Sequence, residues 1–556
     1  MTLHDGERTE EMEKFAGWLK KERILLVKSL LSAALPLVCC LVYCGMRGRS
    51  LGEVYLPASP WNDEMLYYKQ VESIIHFGYP QGYCGYNESH ALKLSFGAWS
   101  PVLIFPWIFW GLLFGWNLMS PIVCNIVLMT LCCFLFVWLT RPTWKQLGIL
   151  CVLFCLYTPF ARYMLSAMPE VICFSMLITF YGLAVNYLRR EKIYKLALLF
   201  VLSGVMTLMR PYLALFMLLP ACFWIRRDRK HAFRWVAVVG SALILGTALG
   251  LYACIKHYLG AEYFAPLFYT DWIYVYFERG IPAGIRNTLE TLHYKGSGLL
   301  EHMRQGFRDG EAAGAYFAGY AVCMCILVVQ SFLDWRSLRR SAKIQEETDE
   351  KEEAAQKEAA NLLIVEAHLA FSFIVMLFAL LLMYTHTEGS KHLLTFMAAA
   401  VFVTALMKTK FLKKAVVLGV TFAYFYSYMA VEPYDYEAPF VSEEKKAAVA
   451  AFEEALAPHL VLERENAPNY ENVVIWVLDD MVAGASAATD WQLLYGLPEG
   501  FGINCCRGSY ITEHFDSLQS RYLVSPAGGE IDAMCREAGY SLLYGDSRVV
   551  FYERTP

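Results

Sequence analysis

The stretch ILLVKSLLSAALPLVCCLVY, residues 24–43, is twenty residues long and almost entirely apolar. An α-helix rises about 1.5 Å per residue, so a helix of this length crosses the roughly 30 Å hydrocarbon core of a bilayer. Similar runs recur along most of the 556-residue chain, which is 57% hydrophobic and only 18% charged. The sequence therefore predicts a mostly helical, polytopic membrane protein. It contains no basic stripe, zinc-finger spacing or glycine-rich phosphate loop that would indicate nucleic-acid binding.

Basic residues predict how the chain crosses the membrane. The first run follows Lys14, Lys20, Lys21 and Arg23, so the positive-inside rule predicts that residues 1–23 are cytoplasmic. The length of the run argues against a cleavable signal peptide. About eleven spans can be threaded with nearly every lysine and arginine cluster on the cytoplasmic side of a cell membrane.

This threading assigns the polar segments to the two sides. Residues 50–118 and 255–315 form outer loops, and the charged segment 334–360 is cytoplasmic. The tryptophan-rich segment 98–115 is interrupted by two prolines. We predict that it lies at the membrane interface, because counting it as a span would place the later basic clusters outside.

The composition changes at Glu432 to that of a soluble protein. We predict that residues 432–556, the tail domain, form a small extracytoplasmic α/β domain. Its expected elements are strands at Asn472–Leu478 and Arg521–Val524, a helix at Glu530–Ala538 and a hairpin over 540–552. An oxidising compartment would also permit a disulfide among three cysteines of this domain, Cys505, Cys506 and Cys535.

Two adjacent acidic residues, Asp63 and Glu64, follow the first span in the segment SPWNDEMLYY, residues 59–68. On local grounds a helix start explains them best, because the serine and proline before them are typical of an N-terminus and acids there complement the helix dipole. Glu170 begins another predicted helix on the same side. Charged groups at membrane depth are costly and usually functional, so the two carboxylate segments predict a site on one outer surface.

Several cations also lie at the outer ends of predicted spans, namely Arg162, Arg210, Lys391 and His392. Each one alone is best explained by snorkelling to lipid headgroups or by compensation of a helix C-terminus. Together they could hold a phosphate beside the carboxylates, since arginine presents several donors in a planar fork.

The order of these motifs resembles the GT-C superfamily, integral-membrane glycosyltransferases that use polyprenyl-phosphate sugars. The similar segments are NDE (62–64), ALKLSFGAWSPV (91–102), ARYMLSAMPE (161–170) and GVMTLMRP (204–211), with a weaker similarity at TEGSKHLLTF (387–396). The segment 204–211 looks like one found in the protein mannosyltransferase and aminoarabinose transferase branches. The W-W-D motif of oligosaccharyltransferases is absent, and so is the lysine-proline-proline start of the interfacial helix, although Lys93 lies nearby.

The resemblance implies a GT-C-like transmembrane domain over residues 24–431 and a transfer reaction at its outer face. Asp63 would act as general base toward an acceptor hydroxyl, with Glu64 as second candidate. Attack at C1 of the sugar would release undecaprenyl phosphate or a similar lipid phosphate with inversion. Glu170 would orient the acceptor or the sugar. The donor phosphate would be held by Arg162, Arg210, Lys391, His392 and Lys93.

The resemblance leaves metal dependence open, since the superfamily contains both kinds of enzyme. If a metal takes part, we expect Mg²⁺ or Mn²⁺, held by Asp63, Glu64 and Glu170, because both ions prefer oxygen ligands. The acceptor could be a glycan, a protein or a lipid, and the sequence does not select the sugar.

Two other classes of function fit a protein with many spans. A transporter or flippase of a lipid-linked sugar would also need a charged site, but transporters commonly place it near the midplane and show two related halves. Here the charges cluster at one predicted face and no repeat is visible. A non-catalytic scaffold would need no acids at helix entries. The sequence therefore favours the transferase.

Overall fold

A computed structural model describes residues 3–46, 48–54, 62–78, 85–88, 99–227, 234–260, 271–309, 324–337, 340, 350–383, 390–406, 443–459, 470–478, 489, 491–498 and 501–554. In chain order the elements are α1 (Leu3–Gly45), α2 (Asn62–Phe77), β1 (Gly85–Tyr86), α3 (Phe105–Phe114), α4 (Ser120–Thr140), α5 (Trp144–Leu156), α6 (Thr158–Met164), α7 (Glu170–Arg189), α8 (Ile193–Met209), α9 (Leu218–Arg227), α10 (Arg234–Leu259), α11 (Asp271–Glu278), α12 (Ile281–Asp309), α13 (324–337), α14 (Glu350–Met383), α15 (Ser390–Leu406), α16 (Glu443–Leu456), β2 (Val473–Leu478), β3 (Gly502–Arg507), α17 (Gly508–His514), β4 (Tyr522–Pro526), α18 (Glu530–Glu537), β5 (Ser541–Gly545) and β6 (Val549–Glu553).

Helix α7 lies at the centre of a helical bundle. It packs against α4, α8, α14 and α15, and α1 packs against the far side of α4. Its sequence is apolar around most of its circumference, which suits a helix surrounded by others. Gly182 lets α4 approach closely, since a Cβ at this position would lie 3.3 Å from the ring of Phe136. The first residue of α7 is Glu170, so the centre of the bundle carries a carboxylate at one end.

The chain is a multi-pass membrane protein. Within the described residues, five helices are long and apolar enough to cross a bilayer: Lys20–Gly45, Ser120–Thr140, Glu170–Arg189, Arg234–Leu259 and Ala360–Met383. Helices α5 and α6 would form a sixth span, bent by 63°. The helix breaks at Tyr157, whose ψ of 85° is not helical. Pro159, two residues later, contributes to the break because it has no backbone N–H to donate and its ring crowds the carbonyl group four residues before it.

Several predicted spans are shorter in the structure than a bilayer requires. The predicted spans at 196–209 and 392–407 correspond to apolar helices of ten to seventeen residues. The predicted span at 415–430 lies outside the described residues, and the one at 316–333 lies only partly within them. The positions of the termini relative to the membrane stay predictions.

The segment predicted to lie at the interface is a short helix. A 3-10 turn at Pro101–Ile104 leads directly into α3. Together they extend only about 21 Å, less than the thickness of the hydrocarbon core. One side is buried at Leu103 and Trp107, whereas Phe109 and Leu112 on the other side are 65% and 64% exposed.

The tail domain contains a six-stranded sheet in the order β1-β3-β2-β4-β6-β5. The first four strands are parallel and the last two are antiparallel to their neighbours. Helix α16 covers one face, with Phe452 against Phe551. Residues of α17 and α18 cover the other, where Ile511 and Ile531 join the core around Ile475. The continuous apolar run of β2 is typical of a parallel strand buried on both faces.

The predicted strands, helix and hairpin of the tail domain are confirmed as β2, β4, α18 and the β5–β6 pair. The structure adds α16, β3 and the edge strand β1, which comes from the first loop. Cys506 and Cys535 are free thiols, and no disulfide joins any two of these three cysteines in the described part of the chain. The predicted boundary at residue 432 lies outside the described residues.

Candidate active site

Glu170 and Arg210 form a buried ion pair at the end of the helical bundle. Arg210 Nη2 lies 2.6 Å from Glu170 Oε1, and the two side chains are 1% and 0% exposed. Arg210 follows α8 in an extended conformation, with φ −145° and ψ 121°. Pro211 explains this geometry, because a residue before proline avoids the helical region. The helix therefore ends where its arginine meets the first residue of α7.

Three rings surround the ion pair. The Tyr212 hydroxyl accepts a hydrogen bond from Arg210 Nη1 at 3.1 Å. The guanidinium carbon lies 5.5 Å from the ring centroid of Trp99, within range of a cation–π contact. His392 lies 5.3 Å from Trp99 and 5.2 Å from Tyr212, measured between ring centroids. We call Glu170, Arg210, Trp99, Tyr212 and His392 the Arg210 cluster.

The Arg210 cluster unites sequence segments that are far apart in the chain. The segment 91–102 contributes Trp99, and 161–170 contributes Glu170. Arg210 comes from 204–211, and His392 comes from 387–396. Four of the five segments that carry the GT-C resemblance therefore meet in one place.

The ion pair retains unused hydrogen-bonding capacity. Glu170 Oε2 and Arg210 Nε are both buried, and neither has a hydrogen-bond partner among the described residues. Buried polar atoms are nearly always satisfied, so each exception needs an explanation. A ligand with both a donor and an anionic acceptor would satisfy the two atoms together.

An apolar groove lies next to the chain segments that carry Glu170 and Arg210. It has a volume of about 510 Å³ and is lined by α3, α7 and α8 through Val102, Phe105, Pro106, Ile108, Phe109, Leu112, Ile172, Met176, Val205 and Met209. Met209 immediately precedes Arg210, and Ile172 is two residues beyond Glu170. All ten lining residues are apolar, so the groove suits a hydrocarbon chain.

Helix α2 carries the two acidic residues of the first loop. Glu64 is 2% exposed. Burial, and then the negative charge of Glu64, raise the pKa of Tyr495 in the tail domain well above its usual range, so the two side chains are close. Tyr67, three residues after Glu64 on α2, interacts electrostatically with Arg210. Asp63 is part of α2, but its side chain lies outside the described atoms.

The structure thus joins three predicted site residues, Glu170, Arg210 and His392. Arg162 lies on α6, where its guanidinium carbon is 5.5 Å from the ring centroid of the neighbouring Tyr163. Lys391 is the second residue of α15, but its side chain is not described, and Lys93 lies outside the described residues.

The sequence reasoning missed Trp99, Tyr212 and Tyr67. Trp99 and Tyr212 lie inside or beside the quoted segments, within reach of a buried arginine. Tyr212 follows Arg210 by two residues, so a search for aromatic residues near intramembrane cations in the sequence would have found it. No such signal marks Trp99, whose nearest cation in the sequence is Lys93.

The predicted metal ligands do not form a cluster within the described part of the chain. Among the described side chains, no three histidine, cysteine or acidic groups lie close enough to share an ion. Glu170 is engaged by Arg210 instead. A metal at Asp63 and Glu64 would therefore need further donor atoms from a ligand or from residues outside the described ranges.

Comparison with known proteins gives structural neighbours only. No family model and no curated protein matches the chain. The archaeal oligosaccharyltransferase AglB from Archaeoglobus fulgidus, in complex with an inhibitory peptide and a dolichol-phosphate, is 12% identical with a TM-score of 0.45, covering 91% of this chain and 70% of that one. ArnT from Cupriavidus metallidurans, bound to undecaprenyl phosphate, is 12% identical with a TM-score of 0.42, covering 94% and 97%.

Both neighbours are GT-C glycosyltransferases, the superfamily that the sequence resembles. At this identity and with TM-scores below 0.5, the likeness transfers no residue role and no substrate to this chain.

Proposed function

We propose that this protein is a glycosyltransferase that moves a sugar from a polyprenyl-phosphate donor to an acceptor hydroxyl at the Arg210 cluster. One observation carries the proposal: a buried arginine with an unused donor directly follows Met209, which lines an apolar groove. A lipid phosphate needs both features, because its chain must be kept from water and its charge must be neutralised.

The groove and the arginine divide the recognition of the donor. Each buried methylene of an isoprenoid contributes about 0.8 kcal/mol, so the groove can hold the lipid without selecting a sugar. The phosphate can accept from Arg210 Nε without breaking the bond from Nη2 to Glu170. Glu170 thus holds the guanidinium in place while the fork remains available to an anion.

Asp63 is the better candidate for the general base. It precedes Tyr67 by four residues on α2, a spacing that places two residues on the same helix face, and Tyr67 interacts with Arg210. Glu64 has the same relation to Tyr68, whose ring lies 5.2 Å from that of Tyr495 in the tail domain. Glu64 also precedes Tyr67, by three residues, so Tyr67 lies between the two acids on the helix surface. Glu64 is the acid that lies against the tail domain, which leaves Asp63 as the acid that we assign to the Arg210 cluster.

The proposed reaction is a single displacement. Asp63 takes the proton of the acceptor hydroxyl, the oxygen attacks C1 of the sugar, and the bond from C1 to the phosphate oxygen breaks. The electron pair leaves with the phosphate, where Arg210 stabilises the developing charge. A fixed donor of this kind lowers a barrier by about 3–4 kcal/mol. With one base and no enzyme nucleophile, the sugar is inverted.

A transfer assay with purified protein in nanodiscs tests the proposal. Labelled polyprenyl-phosphate sugars are supplied with candidate acceptors, and binding of undecaprenyl phosphate is measured in parallel by native mass spectrometry. We expect Asp63→Asn to retain lipid binding and lose transfer. The matched variant Glu64→Gln should retain lipid binding and keep transfer within about tenfold of wild type.

The outcomes separate the candidate functions. Full turnover by Asp63→Asn would remove Asp63 from the reaction. Movement of the lipid-linked sugar across the bilayer by wild-type protein without any transfer would favour the flippase instead.

A further inference from the structure

The first loop completes the sheet of the tail domain. Strand β1 pairs in parallel with β3, with Gly85 opposite Asn504 and Tyr86 opposite Cys505. An unpaired edge strand of the tail domain is thereby covered by a segment more than 400 residues away in sequence.

Glu88 fastens this strand to the tail domain. It is 7% exposed, and its carboxylate accepts from the backbone N–H groups of Gln519 at 2.8 Å and Ser520 at 2.7 Å. Its own N–H donates to Asn504 Oδ1 at 2.9 Å, and its carbonyl oxygen accepts from the Tyr470 hydroxyl at 2.9 Å. Every polar group of Glu88 is thus bound by the tail domain.

The backbone at this point is held in an unfavourable conformation. Asn87 and Glu88 have φ values of +47° and +57°, in the left-handed region that costs non-glycine residues about 1–3 kcal/mol. Such a conformation persists only where its surroundings fix it. The Asn87 N–H donates to the Cys505 carbonyl at 3.1 Å, and Asn87 Oδ1 accepts from the Arg507 N–H at 3.3 Å.

A second contact fastens α2 itself. Lys69 Nζ, on a side chain only 4% exposed, donates to the carbonyl oxygen of Leu497 at 2.6 Å and pairs with Glu72 at 2.7 Å. Beside it, the Tyr68 ring lies between Tyr495 of the tail domain and Trp116 of the helical bundle, 5.2 Å from each. The tail domain therefore contacts the first loop at two places, on α2 and at residues 85–88.

We propose that the tail domain is a positioning element of the transfer site, which holds α2 so that the face of Asp63 and Tyr67 stays at Arg210. Glu88 and Lys69 are positioning residues in this arrangement. The inference rests on the proposed function. A displacement of about 1 Å at a reacting group can reduce a rate by about 100-fold. Loss of the contacts that Glu88 or Lys69 makes with the tail domain should therefore lower kcat.

The predicted kinetic signature follows from the position of the donor site. The groove is lined by α7, α8, α3 and the turn before α3, and Arg210 directly follows α8, so neither the groove nor Arg210 belongs to α2. Glu88→Ala should therefore lower kcat about 10- to 100-fold and change the KM for the lipid donor by less than about threefold. Glu290→Ala is the matched control, since it also removes a paired carboxylate, but one that is exposed on helix α12 beside Arg286.

A cross-link provides the rescue. Paired Cα atoms of neighbouring strands lie about 5 Å apart, within the range that a disulfide spans. Tyr86→Cys can therefore bond to the native thiol of Cys505. The double variant Glu88→Ala/Tyr86→Cys should be slow when reduced and regain most of its rate when oxidised. Adding Cys505→Ser should abolish the rescue.

Amide hydrogen exchange tests, without any substrate, whether the tail domain restrains α2. Glu88→Ala should raise exchange across residues 62–78, and the oxidised cross-link should restore it. Unchanged exchange in α2, or a donor KM that rises as much as kcat falls, would overturn the proposal. If Glu88→Ala fails to fold, Glu88→Gln, which keeps one acceptor oxygen without the charge, replaces it. If wild-type protein transfers no sugar but hydrogen exchange responds as expected, the proposed function is wrong, whereas the restraint of α2 by the tail domain is supported.

Discussion

Replacing Arg210 tests the site most directly, because its guanidinium contacts three of the four other members of the Arg210 cluster. Arg210→Ala removes the ion pair to Glu170, the bond to Tyr212 and the contact with Trp99. It also removes the Nε donor that has no partner among the described residues. Loss of one fixed donor to a developing oxyanion costs about 3–4 kcal/mol, so transfer should fall about 10²- to 10³-fold.

The same change should destabilise the fold for a separate reason. Glu170 is fully buried, and removal of one partner from a buried ion pair typically costs 3–5 kcal/mol because a charge is left uncompensated. Lost activity in Arg210→Ala would therefore be ambiguous without a variant that restores stability.

The double variant Arg210→Met/Glu170→Met separates the two effects. Replacement of both members by apolar residues of similar volume is often neutral or stabilising. We expect the thermal stability of the double variant in nanodiscs to return to near that of wild type, while transfer stays at least 100-fold down. Arg210→Lys should lie between, since lysine keeps the charge but not the planar fork.

The assay is transfer of labelled sugar, with thermal unfolding followed by intrinsic fluorescence in the same preparation. Transfer by the double variant within a few-fold of wild type would show that the ion pair only stabilises the bundle. The proposed role of Arg210 would then be refuted.

Three further predictions concern α2 and the tail domain. Asp63→Asn should abolish transfer. Glu64→Gln should leave transfer within about tenfold of wild type, because adjacent residues on a helix point about 100° apart and Glu64 lies against Tyr495 of the tail domain. Equal losses in the transfer assay would contradict the assignment. Gly496→Ala would place a Cβ 2.5 Å from the carbonyl oxygen of Val449. It should therefore separate α16 from the segment Trp491–Gly496, which packs against α2, and lower the unfolding temperature of the tail domain. The control Gly528→Ala has open space around it but a φ of +72°, so it should cost only about 1 kcal/mol of backbone strain. Burial raises the pKa of Asp532, but the hydrogen bonds that it accepts outweigh this effect and hold the pKa below its usual range. A carboxyl group with a lowered folded-state pKa stabilises above its unfolded pKa of about 3.9 and loses that contribution as the pH falls through the lower value. The tail domain should therefore lose stability on acidification below about pH 4, and Asp532→Asn should be less stable at neutral pH but less sensitive to acid, as measured by thermal unfolding against pH.

The sequence by itself determined the parts of this protein that depend on local patterns. Long apolar runs predicted α1, α4, α7 and α10, because a helix of about twenty residues is as long as the hydrocarbon core of a bilayer is thick. The continuous apolar run at 472–478 likewise predicted β2. Proline also acts locally, so the extended conformation of Arg210 before Pro211 follows from the sequence.

Only the tertiary structure decided which of these parts meet. Glu170 and Arg210 were both predicted site residues, but the sequence assigned them separate partners, and the packing of α7 against α8 made them a pair. The adjacent acids Asp63 and Glu64 were equivalent by pattern. They differ because successive residues on a helix point about 100° apart, and the tail domain covers the face to which Glu64 belongs.

Strand β1 shows the physical reason most clearly. It has two residues, too few to carry an alternating or apolar pattern, and its conformation depends on hydrogen bonds to β3 and on the contacts of Glu88. Helices and buried strands appear in the sequence because neighbouring residues determine them. Ion pairs, edge strands and the choice between two adjacent acids depend on groups hundreds of residues away, which become neighbours only when the chain has folded.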